Sequence, residues 1–90
     1  MSLRGPGVVR KEDVERMIRQ HYTNDKKIFQ PRDIAFLLSD NPQYRNLTND
    51  EMILDVGAIL LQLANEGTIN LVGTTGQFKD DFTQYAYQVP

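Results

Sequence analysis

Thr48-Asn49-Asp50-Glu51 opens a stretch that stays apolar around most of a helix and stops at Gly67, and this segment restricts the fold more than any other part of the chain. Thr48 is placed to cap the helix. Glu51, three residues on, completes a reciprocal capping box, and Leu47 stands where it can staple onto Met52. Met52, Ile53, Val56, Ile59, Leu60, Leu63 and Ala64 then form one broad face, which Leu54, Ala58 and Leu61 extend around the circumference. A helix so apolar belongs at the centre of its domain. Gly57 and Ala58 carry little or no side chain at mid-helix, which invites another element to approach closely there despite about 1 kcal/mol of lost propensity at the glycine. Asn65-Glu66-Gly67 ends the run, with Gly67 suited to a left-handed cap. Thr68-Ile69-Asn70-Leu71-Val72 follows as a strand.

Two shorter helices precede this one. Between Lys11 and Tyr22, Val14, Met17, Ile18 and Tyr22 recur at three- and four-residue spacing, while Glu12, Asp13, Glu15, Arg16, Arg19 and Gln20 fill the remaining positions. The pattern is that of a surface helix with one packed stripe. Glu12 and Glu15 each have a base four residues on, Arg16 and Arg19. Pro31 and Asp33 start a second helix, from about Pro31 to Ser39, that packs through Ile34, Ala35, Leu37 and Leu38 and places Phe36 either on the opposite side or against the first helix. Lys26-Lys27-Ile28-Phe29 is long enough only for a brief extended rung beside a later hairpin. Asp40 to Leu47 is a turn-rich connection, in which Tyr44 tucks its ring toward the core. Near the end, Phe82 to Val89 alternates as a second strand, with Tyr85, Tyr87 and Val89 on one face. Gly73 to Asp81 forms the polar loop between the strands.

Ninety residues make one domain with one core. Residues 1–10, with two glycines and a proline, read as a flexible N-terminal arm, and residues 11–90 as the domain. The longest apolar run, Met52 to Leu61, is broken by Asp55 and falls short of the roughly 20 residues of a membrane span. Absence of cysteine removes disulfide and thiolate chemistry, and it agrees with an intracellular, cytoplasmic setting.

The formal net charge of -2 conceals a polarity along the chain. Up to Arg32 there are eight bases, Arg4, Arg10, Lys11, Arg16, Arg19, Lys26, Lys27 and Arg32, against four acids. Beyond it, Arg45 and Lys79 face eight acids. A polyanion would approach the first part.

Three helices followed by a hairpin, with Leu60-Leu61-Gln62-Leu63-Ala64-Asn65-Glu66-Gly67-Thr68-Ile69 marking the corner out of the third helix, resemble the winged-helix family over about Lys11 to Val89. The resemblance implies an α+β fold, with a three-helix core followed by a C-terminal β-hairpin wing. It also implies that the third helix and the wing form the working surface. In relatives that read DNA the start of that helix enters the major groove, which here would present Asn49, Asp50, Asp55 and Gln62. These residues bring acids and amides to a polymer whose binding depends on neutralised phosphates. The wing has one base, Lys79, beside Asp80 and Asp81. The connection between helices two and three is also wider than the family's compact turn.

Residue chemistry points away from catalysis. His21 is the single histidine and has no second imidazole or cysteine to join it, so it reads as a surface or capping residue. Asp80-Asp81 is a thin oxygen cage for a hard cation and reads as solvated charge. Asp50 and Glu51 suit a helix N-terminus. Gly73-Thr74-Thr75-Gly76 lacks the lysine and the following helix of a phosphate-gripping loop. Tyr85 and Tyr87 lack the interleaved bases of a stacking platform. No catalytic group, metal or cofactor is expected. The leading expectation is a noncatalytic protein-interaction module, with another protein or a second copy meeting Asn49, Asp50, Asp55, Gln62 and Phe78, and with Phe36 and Phe82 as further anchors where exposed. The alternative is a small DNA-binding transcriptional regulator that uses Arg10, Lys11, Arg16, Arg19, Lys26, Lys27 and Arg32, with Lys79 a weaker contact; these bases read equally as a solvated face or as a site that docks an acidic protein or a phosphate backbone.

Overall fold

The capping box at Thr48 forms as its residues dictate. In the computed structural model, which describes residues 7–24, 26–73 and 81–90, Thr48 Oγ1 accepts from Glu51 N at 3.1 Å, and Thr48 N donates to Glu51 Oε1 at 2.9 Å. From there a helix runs Asn49–Asn65 (α3), preceded by helices Lys11–His21 (α1) and Pro31–Leu38 (α2). Strands Asn70–Gly73 (β1) and Ala86–Gln88 (β2) pair antiparallel, giving an α+β arrangement of three helices and a C-terminal hairpin. No helix among the described residues is long and apolar enough to cross a membrane.

Helix α3 ends as its glycine requires. Gly67 takes a φ of +84°, Thr68 N donates to Leu63 O at 2.9 Å, and Gly67 N donates to Ala64 O at 3.1 Å. This is the paired bonding of a left-handed C-terminal cap. The cap occupies Thr68, so β1 starts at Asn70 and not at Thr68. Leu71 pairs with Tyr87 and Gly73 with Ala86, leaving Val72 as a bulge. On the other side of β2, Phe29 exchanges both backbone hydrogen bonds with Tyr87, at 2.9 and 2.8 Å, so the expected rung is present.

The second expected strand is shorter than its alternation suggests. Asp81 Oδ1 accepts from Thr83 N at 3.0 Å and from Thr83 Oγ1 at 2.6 Å, which folds Phe82–Gln84 into a 3-10 turn. The turn docks on both later helices. Gln30 Nε2 donates to Gln84 O at 2.9 Å, Arg32 Nη2 donates to Gln84 Oε1 at 2.9 Å, and the Phe82 ring lies over Gly57. A β-carbon at Gly57 would stand 2.8 Å from that ring, so the glycine admits the close approach its position suggests. Ala58 instead faces solvent.

The core joins Val14 and Ile18 of α1, Ile34 and Leu38 of α2, Met52, Val56, Leu60 and Leu63 of α3, and Phe29, Ile69 and Tyr87 from the sheet side. Tyr44, on a 3-10 turn at Pro42–Tyr44 in the α2–α3 connection, is also buried. Tyr85 and Val89 share the inward face with Tyr87 and pack on this core.

Two acids are in the interior, contrary to their expected outward placement. Asp55 is 4% exposed and Asp13 7% exposed. Asp55 Oδ1 accepts from Gly7 N at 2.9 Å, and its Oδ2 accepts from Val8 N at 2.9 Å and Val9 N at 3.1 Å. The expected arm is therefore bound to α3 over residues 7–9, and Val9 joins the core. Asp13 accepts from the Tyr44 hydroxyl, which itself accepts from Arg10 N at 3.1 Å. Burial, then the bond to Asp13, pushes the Tyr44 hydroxyl pKa up.

Candidate functional site

Three consecutive backbone donors on Asp55 remove it from any contact surface, and this is the main correction to the expected working face of α3. Asn49 and Asp50, in the first turn, are exposed as expected. Gln62 is exposed too, and its Nε2 donates to Glu66 Oε2 at 3.2 Å. Phe78 lies outside the described residues, as does Lys79. Phe82 is half-buried against Gly57 and so is a packing residue.

The outward phenylalanine is Phe36. It is 77% exposed, the highest value among the large apolar side chains described as exposed, because Ile34, Ala35 and Leu38 take the inward positions of α2. Beside it an open cleft of about 560 Å³ separates α2 from the start of α3. Arg32, Phe36 and Ser39 line it from one helix, each one turn or nearly so from the next, and Asn49 and Ile53 from the other, with Ala35 and Asp33 also on its wall. Ile53 is shared with an adjoining hollow of about 300 Å³ that reaches Asp50, Leu54, Asp81 and Thr83. The second hollow lies between α3 and the Asp81–Thr83 segment, Ile53 is common to both, and the pair is the channel of this face.

Charge on this face is set by which helices contribute. Helix α3 contains no lysine or arginine. Among the described residues, Asp33, Asp50 and Asp81 border the channel, against the guanidinium of Arg32, which is held by Gln84.

The bases named as nucleic-acid contacts do not converge here. Arg10 precedes α1 and is exposed. Lys11 Nζ lies 2.9 and 3.0 Å from the two oxygens of Glu66, and this hydrogen bond raises the Lys11 pKa and lowers that of Glu66. Arg16 Nη2 is 2.7 Å from Asp13 Oδ1, so it turns to the buried acid three residues back and not to Glu12 as its spacing suggests. Arg19 lies beside Glu15 in a separate cleft at the other end of α1. Lys26 and Lys27 are exposed beyond that helix, and the Lys26 carbonyl accepts from Gln88 Nε2 at 2.6 Å. Arg32 is on α2. Among the described residues the set thus runs along α1, the following link and α2, and Lys11 and Arg16 are engaged by Glu66 and Asp13.

Among the described residues, no group of three or more His, Cys, Asp or Glu is arranged to hold a metal ion. His21 is exposed, with its ring 6.5 Å from that of Tyr22.

What the sequence missed is the acid burial and the α2–α3 channel. Asp55 lies three residues after Met52 and four before Ile59, on the apolar stripe itself, and Asp13 lies four before Met17. An acid on the packed stripe was the available signal. No protein-family model, curated protein or solved structure matches this chain.

Proposed function

We propose that this domain is a noncatalytic protein-interaction module on a winged-helix-like scaffold, acting in the cytoplasm, with the α2–α3 face as its contact surface. The observation that carries the reading is Phe36, a large ring exposed at the lip of an open apolar cleft on two helices that the core holds fixed. An exposed aromatic beside a preformed hollow is the anchor chemistry of protein interfaces.

The DNA-regulator alternative is less well supported. Groove reading would put α3 against phosphates with no base of its own, and Lys11 and Arg16 are already neutralised by Glu66 and Asp13. Fluorescence anisotropy with mixed-sequence duplexes at low and moderate salt separates the readings. No association is expected even at low salt. Tight, sequence-selective binding would replace the module reading with the regulator. A photo-crosslinking residue at position 36 should also give a discrete protein adduct in cells, while the same residue at position 19, at the other cleft, should not.

A further inference from the structure

The channel on the α2–α3 face has the shape and charge to select one kind of partner. Its floor is apolar, from Ala35, Ile53 and Leu54, and Phe36 stands at its edge. Among the described residues, its rim carries Asp33, Asp50 and Asp81 against Arg32. We infer that this channel receives a basic amphipathic helix of a partner protein, whose apolar residues pack on Phe36 and Ile53 while its lysines or arginines meet Asp50 and Asp81. The inference rests on the protein-interaction reading and adds the chemistry of the partner.

Charge complementarity decides among occupants. A second copy docked through the same face would set each acidic rim against its twin, with one arginine per copy to offset it, and like charges brought together at an interface oppose association. An acidic segment meets the same repulsion. A basic helix relieves it and speeds encounter. Helical shape follows from the cleft, which runs between two helices and offers side-chain pockets. Apolar residues on one stripe of such a helix would meet Phe36 and Ile53.

The test uses the full ¹⁵N-labelled chain and three model helices of about 18 residues, each with the same leucine stripe and with lysine, glutamine or glutamate elsewhere. The lysine helix should bind most tightly, with amide shifts concentrated in residues 32–39 and 49–54. Phe36→Ala should weaken it at least about tenfold, and Phe36→Leu should keep most of the affinity. Because Phe36 is exposed, neither variant removes core packing. Asp50→Asn should cost less and flatten the salt dependence. Equal binding of the glutamine or glutamate helix at the same residues would overturn the charge assignment while leaving a protein-docking face in place. No binding, shifts elsewhere, or an affinity untouched by Phe36→Ala would overturn the site. Self-association of the free chain through residues 32–39 would replace the basic partner with a second copy. None of these outcomes resembles duplex binding, which is the result that removes the underlying reading.

Discussion

Replacing Asp55 by Asn changes no volume, yet it should remove much of what ties residues 7–9 to α3. The native carboxylate accepts three backbone N–H groups at 2.9, 2.9 and 3.1 Å. An asparagine oxygen placed at the Oδ2 position keeps the Val8 and Val9 bonds as neutral ones, and its NH₂ then faces Gly7 N, a donor against a donor. Hydrogen bonds to a charged group are each worth about 1.5–3 kcal/mol net, and neutral ones about half. Gly7 and Val8 are exposed, so their N–H groups regain water. Val9 is buried, so its N–H depends on the weaker neutral bond that remains. Relief from desolvating a charge offsets part of the loss. The net cost should be roughly 2–4 kcal/mol. Total stability for 90 residues is of order 5–13 kcal/mol, so the melting temperature should fall by about 10–30 °C. Urea unfolding followed by far-UV circular dichroism measures the loss, and hydrogen exchange at the Val9 amide reports whether the segment is released. An unchanged midpoint with undiminished protection at Val9 would refute the argument, because it would mean the carboxylate is solvated and the strand of N–H groups is held by something else.

Gly57→Ala should gain up to about 1 kcal/mol of helix propensity and lose about 1–3 kcal/mol to the Phe82 ring, for a net destabilisation; in a Phe82→Ala background the same change should stabilise, and an unaltered sign would disprove the close packing seen there. Leu60→Ala should cost about 2–5 kcal/mol and Thr48→Ala about 0.5–2 kcal/mol by chemical denaturation, since one empties a fully buried position and the other removes the α3 cap. Burial pushes the Tyr87 hydroxyl pKa up to about 12 from an ordinary 10.0. The unfolded chain therefore ionises first, and stability present below about pH 10 should fall as pH rises toward 12. Tyr87→Phe should remove this part of the alkaline loss. It should be neutral or stabilising near neutrality, because the buried hydroxyl has no hydrogen-bond partner among the described residues.

Local signals in this chain were legible where the partners are close in sequence. Thr48 and Glu51 are three residues apart, and Gly67 closes its cap within five, so both could be read directly. The rung at Phe29 and the inward ring of Tyr44 were legible from apolar anchors in otherwise polar stretches. Asp55 and Asp13 were not, because their burial depends on donors 46–48 residues away for one and 31 away for the other. Periodicity assigns an acid to solvent by default, and only the fold shows whether backbone N–H groups or a hydroxyl arrive to replace water. The short second strand has a different cause. Alternation from Phe82 to Val89 is real, but the Asp81 side chain bonds Thr83 and turns the first three residues before pairing can start.

The buried acids bear on the channel as well as on the core. Tyr44 lies in the wide connection between α2 and α3, and its hydroxyl is held between Asp13 and Arg10 N, which fastens that connection to the start of α1. Gln30 and Arg32 tie the other end of α2 to the turn at Phe82–Gln84, which in turn packs on α3 at Gly57. Helix α2 is thus tied at its start to the turn that packs on α3, and beyond its end to the start of α1, which fixes the spacing of the cleft. In the proposed docking, only the rotamer of Phe36 and of the incoming side chains would then have to be ordered, at about 0.5–1.5 kcal/mol each. A mobile α2 would add backbone ordering to that cost, about 1–2 kcal/mol per residue. Preformation would make so small a face sufficient for the proposed docking, and Asp13, through Tyr44, contributes to it without lining the cleft.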